Sequence, residues 1–370
     1  MTEPSTDPAL LERLDYLNLT ADPAADQVVA GLVAGGRISE VNALLRDFHG
    51  NDQIVPAQLP AEIAEFLSVS ARLPTWADPA RLDRVRGFFT DDGIHVAAVL
   101  SLSSMLQCYA LPDAAELLGT TQRLEYPRRR MTQTGQFVLR MMDENAFGPD
   151  GGFVPAAQKV RLIHAAIRRH LREEGWDERT LGVPMSQRSM LVALMIFSVG
   201  VIEGLEILEI SVTDVEAADY YHAWRVAGHL LGIQDEVMPE DLDEARKLFA
   251  AVKTGCFGPS EVGVLLTREL LDLYVDIVPS RVFGPLVPAL ARLLVGDQIA
   301  DWMGVPRSRW DRVARALPRW IGRLERSEDR WRPAAWFLDR TGRLVLDLEY
   351  KILAHGVEIG LDIPEQLRGR

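Results

Sequence analysis

Apolar positions recur every three to four residues along almost the whole chain. This period predicts helices over 24–33, 38–48, 60–69, 79–91, 92–107, 111–119, 127–145, 155–174, 186–209, 213–231, 239–252, 259–275, 283–296, 308–325 and 345–354. Start signals sit where the pattern begins: Pro60 before AEIAEFL, Asp78-Pro79, Thr213-Asp214, Pro239-Glu240-Asp241 and Pro259-Ser260-Glu261. No stretch alternates strictly over six residues and no Asn-Gly hairpin turn occurs. GRLVLDLEY, 342–350, fits a strand and a helix equally. The expected fold class is all-α.

The breaks between helices are short. FGPDGGFVP (147–155) and GWDERTLGVP (175–184) are loops rather than linkers, because the segments on both sides are too apolar to stand alone. With no internal repeat and no low-complexity segment, one domain is the simplest reading. A looser C-terminal part, rich in arginine and in tryptophan (Trp310, Trp320, Trp331, Trp336), is expected after residue 305. The longest apolar run, MLVALMIFSVGVI (190–202), has 13 residues and stops at Glu203. A bilayer span needs roughly 20, so the run is read as a core helix, with no membrane span.

Composition narrows the function classes. The chain is 48% hydrophobic and 25% charged, with a formal net charge of −13. That balance argues against a nucleic-acid partner, which needs a basic footprint. Cys108 and Cys256 lack CxxC spacing, which excludes a zinc knuckle or iron–sulfur site and fits a reducing compartment. The N-terminal stretch has no basic segment followed by an apolar one, so a cytoplasmic location is expected.

The stretch KVRLIHAAIRRHL, 159–171, carries the first candidate chemistry. Its apolar stripe is Val160, Ile163, Ile167 and Leu171, and His164 falls on it. Such a histidine is often a satisfied core residue. Arg161, His164 and Arg168, however, are spaced i, i+3, i+7 and project to one side. Two guanidiniums beside a buried face need anions. Acidic side chains meet that need, and so do the carboxylates of a cofactor. A haem combines an iron that takes an imidazole with propionates that take cations.

Two further segments matter. In RRRMTQTGQFVLRMM (128–142), Arg130, Thr134 and Phe137 share a face, and arginines at a helix N-terminus oppose the macrodipole unless something negative is near. In DYYHAWRVAGHLLGI (219–233), His222 and His229 share a face with Arg225. A separation of seven residues spans about 10.5 Å along a helix, so one metal is not easily held by both. Hydrogen-bonded core histidines are the plain reading of that segment. GxGxxG, Walker A, GxSxG and CxxCH motifs are all absent, so any haem is held non-covalently.

Taken in order, these segments resemble the latex-clearing protein (rubber oxygenase) family, which includes the oxygenase of the mycophenolic acid pathway. The resemblance is carried by LPTWAD (73–78), RMTQTGQFV (130–138), KVRLIHAAIRRHL (159–171), GVPMSQ (182–187), YYHAWRVAGHLLGI (220–233) and GDQIADWMGVP (296–306). It implies a globin-like helical core with one haem b, His164 as proximal iron ligand, and Arg161, Arg168, His222, Arg225 and His229 supporting the haem or the fold around it. Arg130 and Thr134 match the distal motif. The family's distal lysine is Gln133 here, and an expected threonine is apolar near Ala193. Glu116, in DAAELLGTTQRL, is the nearest match to a distal carboxylate base.

The organisation implied is an N-terminal extension over 1–24, a haem-binding domain over 25–310 and a C-terminal extension over 311–370 packed on it. The function implied is an oxygenase using dioxygen on a small apolar, unsaturated substrate. A haem carrier or a haem or gas sensor is the alternative, and a haem-free scaffold is a third reading.

Overall fold

The computed structural model describes residues 8–122, 127–143, 145–277 and 284–325. The chain opens with α1 (Pro8–Leu17), α2 (Pro23–Ala34), α3 (Ile38–Arg46) and α4 (Ala61–Ser70). Then α5 (Pro79–Val99) runs through a π turn, Leu100–Ser104, straight into α6 (Met105–Tyr109). Next come α7 (Pro112–Gln122), α8 (Pro127–Met142), α9 (Phe153–Glu173) and the short α10 (Glu178–Leu181). α11 (Gln187–Phe197), α12 (Val199–Ile207) and α13 (Asp214–Leu230) lead to α14 (Leu242–Gly255), α15 (Glu261–Ile277), α16 (Leu286–Trp302) and α17 (Trp310–Glu325). No strand occurs among the described residues, so the all-α class holds.

The helices begin where polar caps allow. Asp78 accepts a hydrogen bond from the Ala80 N–H, with Pro79 at the first helical position. Thr213 and Glu216 form a reciprocal capping box at the start of α13. Ser186 caps α11 by accepting the Ser189 N–H.

Three boundaries differ from the pattern. The segments 79–91 and 92–107 are one path, because the π turn absorbs an extra residue without ending the helix. The segment 186–209 bends at Ser198 (φ −103°, ψ −78°), whose hydroxyl bonds the Leu194 carbonyl. Residues 8–17, inside the expected extension, form α1, whose Leu14 and Leu17 are buried. The 342–350 and 345–354 segments, Trp331 and Trp336 lie outside the described residues.

Two apolar clusters organise the packing. The larger gathers side chains from α5 to α16. The smaller is built by α2, α3 and α4 and is completed by Leu162, Ala165 and Ala166 of α9. The first turns of α9 belong to the larger cluster through Phe153, Val154, Ala156 and Ala157. Thus α9 joins both cores, and each fully buried leucine adds about 1.5–3 kcal/mol. The path Gln187–Ile207 is long and apolar enough for a membrane span, longer than the 13-residue run alone; 67% of its most apolar window is buried in the protein.

Candidate functional site

The centre of α9 presents two sides. Leu162, Ala165 and Ala166 are buried in the smaller core. On the neighbouring side, Val160, Ile163, His164 and Ile167 are only partly buried. His164 is enclosed by protein and still keeps some accessible surface. Burial and the charge of Arg168 push its imidazole down to about 4, against a smaller upward pull from Asp22. The ring is therefore neutral at pH 7. It has no hydrogen bond or ion pair among the described residues.

The anions that this helix demands come from within the chain. Arg161 donates from Nη2 to Asp22 Oδ1 at 2.9 Å and from Nε to Asp22 Oδ2, and its guanidinium lies 5.3 Å from the Phe66 ring centroid. Arg168 donates from Nε to Asp26 Oδ1 at 2.8 Å and from Nη1 to the Met185 carbonyl at 3.0 Å. Both carboxylates belong to the start of α2. Gln187 ties the region together: its amide donates to the carbonyls of Ala21 and Gly232 and accepts from the Gln234 N–H.

His222, Arg225 and His229 on α13 meet elsewhere, around Trp76. The Arg225 guanidinium lies 4.1 Å from the Trp76 ring centroid. His222 and His229 approach the same ring edge-on at 5.9 Å and 6.3 Å. Asp235 accepts from Trp76 Nε1 at 3.2 Å and pairs with His229 Nδ1 at 2.8 Å. The Asp78 N–H donates to His222 Nε2 at 3.0 Å. Burial, then the charge of Arg81, push His222 down to about 4. Nearby, burial raises the Asp219 carboxyl, and hydrogen bonds from Arg84 and Arg81 overcome it and hold it low. This group pins the LPTWAD segment and α5 onto α13.

The remaining candidates lie on α7, α8 and α11. The α8 backbone is helical through Arg130, Gln133 and Thr134; the side chains of Arg130 and Gln133 lie outside the described set, and Thr134 is half-buried. α8 packs on α9, with the Phe137 and Phe153 rings 4.9 Å apart. Glu116 is half-buried on α7, whose main neighbours are α6 and α15. Among the described residues it has no hydrogen bond or ion pair. Ala193 is half-buried on α11. No group of three or more His, Cys, Asp or Glu among the described residues is placed to hold a bare metal ion.

The residues fit a haem. A neutral, enclosed imidazole without a described protein partner stands beside partly accessible Val160, Ile163 and Ile167, and an apolar macrocycle needs such a wall. Sequence reasoning missed Asp22, Asp26, Trp76 and Asp235 as partners. Asp22-Pro23 carries a helix-start signal, which marks a cap and not its ion pair.

Residues 92–324 fit the family described as "ER-bound oxygenase mpaB/B'/Rubber oxygenase, catalytic domain". The chain is 30% identical over 289 residues to a rubber oxygenase of Streptomyces sp. (strain K30), covering 77% of this chain and 71% of that protein. It also resembles the latex clearing protein LCP solved in its closed state, with a TM-score of 0.82 and 28% sequence identity, over 94% of this chain and 95% of that one.

Proposed function

The chain belongs to the family of mpaB-type and rubber oxygenase catalytic domains, and from that premise we propose a haem b-dependent oxygenase that uses dioxygen on an apolar, unsaturated substrate. The observation that carries the reading is His164, an enclosed neutral imidazole without a described protein partner. One imidazole would suffice for an iron whose remaining ligands come from a porphyrin. Bound there, the haem supplies a redox-active iron at which dioxygen is activated, with pocket polarity and access deciding the outcome.

His164 would hold the iron, and Arg161 and Arg168 would hold the helix that carries it. Arg130, Gln133 and Thr134 would orient dioxygen or substrate. The Gln133 amide would not ligate iron as a lysine can. Glu116 is the candidate base. The likeness to a rubber oxygenase suits a substrate built of hydrocarbon, such as an isoprenoid chain or a smaller alkene.

The test is the visible spectrum of the purified protein supplied with haem. A Soret band in the wild type, lost in His164→Ala, supports the reading, and no band in the wild type refutes it. Product formation from dioxygen and an isoprenoid alkene separates an oxygenase from a haem carrier, which would show the band and no product.

A further inference from the structure

α2 lies outside the residues matched by the family's catalytic region, yet it supplies both carboxylates that flank His164. Arg161 stands three residues before the histidine and Arg168 four after, so the two ion pairs bracket the imidazole along α9. These are not surface pairs that water exchanges freely. The Arg168 side chain is 2% exposed, Asp22 11%, Arg161 16% and Asp26 26%. Charges at that depth are weakly screened, and Asp22 and Arg168 act on the His164 imidazole with opposite sign.

Asp22 has no room to turn away. Its Oδ1 accepts the Ala25 N–H at 3.3 Å as the cap of α2, and both oxygens hold Arg161. The Gly232 backbone closes over the pair, and Gln187 fixes Gly232 and Ala21 on either side.

We propose that Asp22 and Asp26 are positioning residues for His164: they clamp α9 to α2 on both sides of the imidazole and set the charge on the proximal side of the iron that it would carry. The inference rests on the haem reading of His164.

The test uses the full chain loaded with haem and the midpoint potential of its one-electron couple. Asp22→Asn keeps the cap, since asparagine caps a helix as well as aspartate does, and removes the negative charge together with one acceptor for Arg161. Arg161→Gln removes the opposite charge. Loss of the negative charge destabilises the ferric form and raises the potential; loss of the positive charge lowers it. Each shift is expected to reach a tenfold change in the ferric-to-ferrous ratio, about 59 mV. Glu40→Gln, at the exposed Arg37–Glu40 pair, serves as the control without a shift. Shifts of the same sign, or none, overturn the proposal, because a merely structural pair has no reason to move the potential in opposite directions. Asp26→Asn, at the more exposed pair, carries the same test if Asp22→Asn does not fold.

A wild type that takes up no haem refutes the proposed function, and the clamp is then decided on the haem-free protein. Hydrogen exchange of amides 159–171 should rise at least tenfold in the double variant Asp22→Asn/Asp26→Asn. Unchanged exchange overturns the clamp.

Discussion

Gly232 sits against the guanidinium of Arg161, with no space for a side chain between them. A Cβ at position 232 would also stand 2.7 Å from Asp22 Oδ2, and the residue's φ is +85°, a conformation that side chains rarely adopt. Gly232→Ala should therefore cost about 1–3 kcal/mol from backbone strain alone, with the displaced ion pair adding to it. Urea unfolding checks this; a loss under 0.5 kcal/mol, a round threshold well below that range, would mean that the loop relaxes freely.

The His222 imidazole accepts a backbone hydrogen bond and is held neutral down to about pH 4. An unfolded histidine takes a proton near pH 6.5. Between those values the unfolded state binds more protons. The contribution of His222 is thus complete above about pH 6.5, declines as pH falls towards 4 and is level below. The decline amounts to at most about 3 kcal/mol. His222→Gln keeps an acceptor for the Asp78 N–H and does not titrate. Its unfolding free energy should be the flatter of the two over this window, and parallel curves would count against the assignment.

Trp76 offers its face to Arg225 and its Nε1 to Asp235. Trp76→Phe retains the face and loses the donor, an expected cost of about 1 kcal/mol. Trp76→Ala loses both and should cost about 3 kcal/mol. Thermal unfolding of the two variants gives the ordering, and equal losses would show that the ring face contributes nothing.

Gln133 stands where the family's lysine is expected. If the haem reading holds, Gln133→Lys should convert the resting spectrum of the loaded protein to that of an iron with two nitrogen ligands, and should slow reaction with dioxygen. An unchanged spectrum would place residue 133 away from the iron.

Much of the helical plan was legible because apolar period and caps agree, as at Asp78-Pro79 and Thr213 to Glu216. The π turn at Leu100–Ser104 was not, since one inserted residue leaves the apolar count nearly unchanged. The face shared by Arg161, His164 and Arg168 could be read from spacing alone. Its partners could not: Asp22 lies 139 residues from Arg161, and Asp26 lies 142 from Arg168. Periodicity also assigned Val160, Ile163 and Ile167 to a closed core. They are partly accessible, because the helix buries the Leu162 side more deeply.

The smaller core has a consequence for how the protein is made. Residues 22–70 leave the ribosome with Val29, Ile63 and Phe66 waiting for Leu162, Ala165 and Ala166. At roughly 5–20 residues per second, on the order of ten seconds pass before α9 emerges to cover them. Until then the apolar side of α2, α3 and α4 lacks the α9 side chains that complete its core.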